Sequence, residues 1–235
     1  MNKAQEIPPI RSAATVIVVR DSATGLETLL LRRHSDIAFH GGSWVFPGGR
    51  IDESDYGTDP IPSDPMSEGH EPAARVAAVR EAYEEAGLVL QAEDLAPFSH
   101  WTTPAIRVKR YATWFFVTAA PAGDVTVDGG EITDHRWMSP TAALAARDAG
   151  EIELPPPTYV TLSRLAGSST VAEVLAEAAS APYVRFEPHI RPVEGGFASI
   201  YEGDVAYADE SLFDAESPRH RLYAVAPIWR YEQSL

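Results

Sequence analysis

The sequence predicts an α/β fold with a mixed β-sheet, followed by a β-rich C-terminal extension. Three observations predict it. Short apolar runs rich in Val, Ile, Thr and aromatic residues alternate with helical patterns through the first two thirds of the chain. A helical stretch that begins at Pro72 stops at Gly87, with a proline in the first turn and a glycine just past the end. From Pro182 onward, short aromatic runs are separated by Pro, Gly and acidic turns.

In chain order, 13–19 and 28–31 are strands joined by a turn at 21–25. A short strand at 43–46 leads into the glycine loop Phe46-Pro47-Gly48-Gly49. The segment 52–70 carries Asp52, Glu53, Asp55, Asp59, Asp64 and Glu68 with Pro60, Pro62 and Pro65, and no Lys or Arg, so it reads as a solvated loop. The helix over 72–86 follows. Strands are expected at 98–103, 110–119 and 131–138, and helices at 140–147, 159–165 and 170–179. Residues 11–180 form the main domain, with 52–70 as an insertion loop. Residues 181–235 are an extension expected to be ordered, because its aromatics are too many for a solvated tail. It packs on the core or builds a homodimer interface.

Composition excludes several functions. Hydrophobic residues at 45% and charged residues at 23% are those of a soluble globular protein. There is no cysteine, so disulfides, thiolate metal sites and cysteine nucleophiles are ruled out. A net charge of −15 argues against a nucleic-acid partner. No apolar run approaches the ~20 residues of a membrane span, and the N-terminus lacks a signal-peptide core, so a cytoplasmic address is expected. The seven histidines show no metal-binding spacing and are assigned no metal role. Trp44, Trp101 and Trp114 lie in strand-like runs and are expected in the core.

The most informative stretch is Arg80-Glu81-Ala82-Tyr83-Glu84-Glu85-Ala86-Gly87-Leu88. At about 100° per residue, Glu81, Glu84 and Glu85 share one helix face, with Val76, Val79, Tyr83 and Ala86 opposite. Adjacent carboxylates repel, and a hard divalent cation such as Mg²⁺ reverses that cost. The plain alternative is a solvated acidic face with an Arg80–Glu84 pair. Gly48 and Gly49 allow backbone to approach a phosphate or a metal closely.

These segments together resemble the Nudix hydrolase family, whose box reads G-x5-E-x7-R-E-U-x-E-E-x-G-U. Gly49 matches the opening glycine, and Arg80, Glu81, Ala82, Glu84, Glu85, Gly87 and Leu88 complete the second half. The insertion 52–70 separates the halves. Counting back from Arg80 puts Pro72 where the first box Glu belongs, leaving neighbouring Glu71 to stand in. The resemblance implies an α/β/α sandwich and Mg²⁺- or Mn²⁺-dependent hydrolysis of a nucleoside diphosphate linked to another moiety. It implies Glu84 and Glu85 as metal ligands, with the Gly49 carbonyl as a further one. Glu81 is a ligand or the group that orients or deprotonates water, and Arg80 holds a carboxylate in place. Glu131, after Gly129-Gly130, is an extra catalytic or metal-binding carboxylate or an exposed turn residue.

Upstream, Leu29-Leu30-Leu31-Arg32-Arg33, Gly42 and the F-P-G-G loop resemble the pattern of coenzyme A diphosphatases, with Arg33 as a phosphate contact. His34 and Ala38 depart from that pattern, Ala38 standing where a second Arg belongs. Coenzyme A or acyl-coenzyme A is therefore the expected substrate. Pro104 is shared with ADP-ribose pyrophosphatases, so ADP-ribose or a nucleotide sugar is the alternative. A non-catalytic nucleotide-binding regulator is the second alternative, and it has no need of three clustered carboxylates.

Overall fold

The apolar run at 13–19 lies inside a longer strand, β1 (Ile10–Ser22), that forms the centre of the molecule in the computed structural model. The structure describes residues 8–36 and 40–234, so Ala38 lies outside the described residues. β2 (Gly25–Arg33) returns from the Asp21–Gly25 turn antiparallel to β1. β3 (Trp44–Val45) and β4 (Gly48–Arg50) follow. After α1 (Glu71–Ala86) come β5 (Ala96–Thr102), β6 (Arg110–Ala119) and β7 (Ile132–Met138). Helices α2 (Pro140–Asp148), α3 (Pro156–Leu165) and α4 (Val171–Ser180) precede β8 (Val184–Phe186). The strands form one mixed sheet, ordered β3-β2-β1-β6-β5-β8, with β4 also paired to β1 and β7 to β2. β1 and β6 run parallel from Ile10↔Arg110 to Val19↔Ala119.

Both faces of this sheet are covered, which explains why its central strands read as continuous apolar runs. Val16, Val18, Leu29, Leu31, Trp114 and Phe116 pack under α1. Ile17, Val19, Leu30, Phe115 and Val117 pack under α2, α3 and α4. The fold is thus the expected α/β/α sandwich. Trp44, Trp101 and Trp114 are all buried. Among the described residues, no helix is long and apolar enough to cross a membrane.

The extension contains a second, antiparallel sheet ordered β12-β11-β10-β9. Its strands are β9 (His189–Val193), β10 (Gly196–Ile200), β11 (Arg219–Val225) and β12 (Arg230–Ser234), with α5 (Val205–Ala208) between β10 and β11. Tyr201 and Leu222 enter the core beneath the helices, and Trp101 stacks on Phe186 with ring centroids 4.0 Å apart. Arg221 and Asp204 form a fully buried ion pair. The extension meets the main sheet through Tyr201, Leu222 and Phe186.

Two expectations are corrected. Of the expected core-facing positions of the helix, Ala86 is buried and Val79 packs against the core, but Val76 and Tyr83 are exposed. The buried stripe is Ala74, Ala77, Ala78, Ala82 and Ala86. These small side chains let the helix lie close to the sheet, and the same stripe continues into Glu81 and Glu85. The insertion is also not a fully solvated excursion. It holds 3-10 turns at Glu53–Tyr56 and Glu68–His70, and Asp55, Tyr56 and His70 are buried. The Tyr56 hydroxyl meets His70 Nδ1, and the carboxylate of Glu68 accepts hydrogen bonds from Tyr183 and Arg185 in the extension.

Candidate active site

The site forms where α1 crosses β4. β4 lies against β1 with Ala14↔Gly49 and Thr15↔Gly48 in register. A Cβ at Gly48 would collide with the Ala14 carbonyl and Thr15, and a Cβ at Gly49 would collide with the Glu81 carboxylate. Glycine at 49 lets a helix that bears carboxylates sit directly over the strand, and glycine at 48 lets that strand lie close against β1. α1 then stops at Gly87, which takes a left-handed conformation (φ 68°) and donates its N–H to the Tyr83 carbonyl at 2.9 Å.

Two of the expected residues, Glu81 and Glu84, are brought together by a third, Arg80. Its Nη1 donates to Glu81 at 2.9 Å and to Glu84 at 3.1 Å. Its Nε and Nη2 grip Asp55 at 3.1 and 2.9 Å, and Nη2 also donates to the Arg50 carbonyl at 3.0 Å. The carboxylate that Arg80 holds by a bidentate pair is therefore Asp55, which sequence reasoning missed. Glu71, the expected stand-in, pairs with Arg75 instead. Asp55 is the sixth residue after Gly49, the position the box gives its first Glu, so counting forward from Gly49 finds it and counting back from Arg80 does not. The inserted chain lies after Asp55.

Glu85 is almost wholly buried and accepts a hydrogen bond from the Gly48 N–H at 2.9 Å. Burial pushes its carboxyl up to about 8, with Glu81 adding in the same direction against the Gly48 bond and the Arg33 charge. Burial also raises Glu81, opposed by Arg80. Glu84 is more than half exposed.

Glu131 stands on an exposed turn that Asp128 caps by accepting from the Gly130, Glu131 and Ile132 amides. Its carboxylate lies 3.7 Å from Arg33 Nη2 and raises both Glu81 and Glu85 electrostatically. Arg33, at the end of β2, is mostly buried, and its Nε has no hydrogen-bond partner among the described residues.

Among the described residues, no three His, Asp or Glu side chains are gathered tightly enough to hold a metal as placed. Arg80 sits between Glu81 and Glu84. The chemistry of the donor set nevertheless fits a hard divalent cation. Glu81, Glu84 and Glu85 are all oxygen donors, as is the Gly49 backbone, and burial, joined by the repulsion of neighbouring carboxylates, raises Glu81 and Glu85, a cost that a bound cation offsets. The unpartnered Arg33 Nε is a donor suited to a phosphate oxygen.

The family model for the NUDIX domain matches residues 9–156. The chain is similar to the acyl-coenzyme A diphosphatase NUDT19 of Xenopus laevis, 24% identical over 282 residues that cover 81% of this chain and 74% of that one. It is similar to the Homo sapiens protein of the same name, 25% identical over 281 residues, 81% of this chain and 75% of that one. Among solved structures, a NUDIX hydrolase from Alicyclobacillus acidocaldarius superposes with a TM-score of 0.64 at 24% identity. That alignment covers 72% of this chain and 97% of the other.

Proposed function

The chain belongs to the NUDIX family, and from that premise we propose that it is a Mg²⁺- or Mn²⁺-dependent pyrophosphohydrolase of coenzyme A or acyl-coenzyme A. The observation that carries the substrate is the likeness to acyl-coenzyme A diphosphatases along 81% of the chain, well past the family domain. The reaction adds water across the P–O–P bond, giving 3′,5′-ADP and 4′-phosphopantetheine or its acyl form.

In this reading Glu81, Glu84 and Glu85 hold the cation, with the Gly49 carbonyl as a further ligand. When bound, it supplies Lewis-acid polarisation of the pyrophosphate and activation of a water. Glu85 is oriented by the Gly48 amide, so its carboxylate is fixed before any ligand arrives. Asp55 anchors Arg80, and Arg80 in turn steadies Glu81 and Glu84. Arg33 offers its unpartnered Nε to a phosphate oxygen. Glu131, within reach of Arg33, takes or orients the proton of the attacking water.

Turnover with Mg²⁺ and Mn²⁺ against coenzyme A, acyl-coenzyme A, ADP-ribose and nucleotide sugars tests the proposal. Coenzyme A species should lead. A kcat/KM for ADP-ribose or a nucleotide sugar about tenfold above every coenzyme A species overturns it.

A further inference from the structure

The chain carries −15 net charge, yet no Asp or Glu occurs between Asp94 and Asp124. Within that stretch the loop from β5 to β6 holds Arg107 and Lys109, Arg110 opens β6, and Lys109 is the only lysine besides Lys3. The loop has a fixed base. The Thr103 N–H donates to the Tyr111 carbonyl at 2.9 Å, the Tyr111 N–H donates to Thr103 Oγ1 at 3.1 Å, and Arg110 Nε is spent on the Thr103 carbonyl at 3.1 Å. Its tip stands in solvent, with Ile106 and Val108 at 73% and 86% exposure. Among the described residues, no carboxylate forms an ion pair with Arg107 or Lys109.

Register places this loop beside the site. Gly49 sits at the level of Ala14 and Trp114, and Arg110 at the level of Ile10. The loop therefore begins four residues farther along and two strands across, roughly 16 Å away, at the same end of the sheet as Gly49. Arg33, Glu131 and the start of the insertion share that end. A ribose and an arginine side chain together span such a distance. Burial first, then the charges of Arg107 and Arg33, push His40 down to about 4, so both guanidiniums act on one imidazole.

We propose that Arg107 and Lys109 bind the 3′-phosphate of the adenosine half of coenzyme A and make the enzyme select 3′-phosphorylated nucleotides. The inference rests on the coenzyme A reading above. A phosphate dianion is the ligand that two unpaired cations on an otherwise acidic surface suit best, and an arginine can meet it with two parallel hydrogen bonds. The contact lies far from the reacting phosphorus, so its loss appears in KM.

The test compares kcat/KM for coenzyme A and 3′-dephospho-coenzyme A in wild type, R107Q, K109Q and the double variant. Wild type should prefer coenzyme A by about tenfold or more, the worth of one charge-assisted hydrogen bond. The double variant should lose that preference through a raised KM for coenzyme A. Calorimetric binding of 3′,5′-ADP against 5′-AMP reads the same contact apart from turnover, with the same expected loss. Equal wild-type turnover of the two coenzymes, or a preference that survives both substitutions, overturns this inference and leaves the coenzyme A reading standing. Turnover of ADP-ribose with neither coenzyme cleaved overturns both.

Discussion

Asp55 and Arg80 are joined by two hydrogen bonds, Nε to Oδ1 at 3.1 Å and Nη2 to Oδ2 at 2.9 Å, across the whole inserted segment. Asp55 is buried, while a quarter of the Arg80 side chain reaches water. Asp55→Ala should therefore cost about 2 kcal/mol, less than the roughly 3–5 kcal/mol of breaking a fully buried pair, because water screens the exposed part. Urea denaturation measures it, and an unchanged midpoint would remove Asp55 from this role. Glu71→Ala, which leaves Arg80 untouched, should keep activity near wild type.

Glu84→Gln and Glu85→Gln should each lower kcat by about 100-fold or more, the scale on which loss of one group that organises transition-state charge is felt. The fold should survive. The side-chain amide that replaces the Glu85 carboxylate still offers an oxygen to the Gly48 N–H, and Glu84 is largely in water. Near-wild-type turnover of either variant under saturating Mg²⁺ sinks the ligand assignment.

The two glycines of β4 should separate when each is changed to alanine. At Gly48 the new methyl meets rigid backbone of β1, so Gly48→Ala should lower the melting temperature. At Gly49 it meets the movable end of Glu81, so Gly49→Ala should fold and lose activity as that carboxylate is displaced. Equal thermal losses with equal activity losses would contradict this contrast.

The Asp204–Arg221 pair makes stability depend on acid. Burial pushes the Asp204 carboxyl up, but Arg221 and the His220 and Ala206 amides outweigh it, and the net value is lowered. A carboxyl lowered on folding contributes stability that is complete above its unfolded value, about 3.9, and is lost as pH falls through the lower folded value. Wild type should therefore lose more stability than Asp204→Asn between pH 7 and pH 3 in denaturant titrations. Parallel curves for the two proteins would refute it.

Much of the sandwich is legible in the sequence because its central strands are buried on both faces. The run at 110–119 matches β6 residue for residue, and Gly87 ends α1 as a left-handed cap. β4 is missed because glycines carry no pattern, and β9 and β12 because their residues are polar and half exposed. Two of the four core positions expected on α1, Val76 and Tyr83, are exposed, because its buried stripe is alanine, a weaker signal than those larger side chains. Glu81, Glu84, Glu85 and Arg80 stand out by their spacing together with the resemblance to the family box. Asp55 hides because its partner is far along the chain.

β8 pairs parallel with β5 through Val184, Arg185 and Phe186, at the outer edge of the main sheet. That edge would otherwise present a row of open amides and carbonyls beside Trp101, a template for sticking to other chains. Three residues cover it, and Pro188 lies just beyond. The extension thus closes the edge that β5 would leave open. A chain cut after Ser180 keeps every residue of the candidate active site but uncovers that edge, and should scatter light on concentration where the full chain does not.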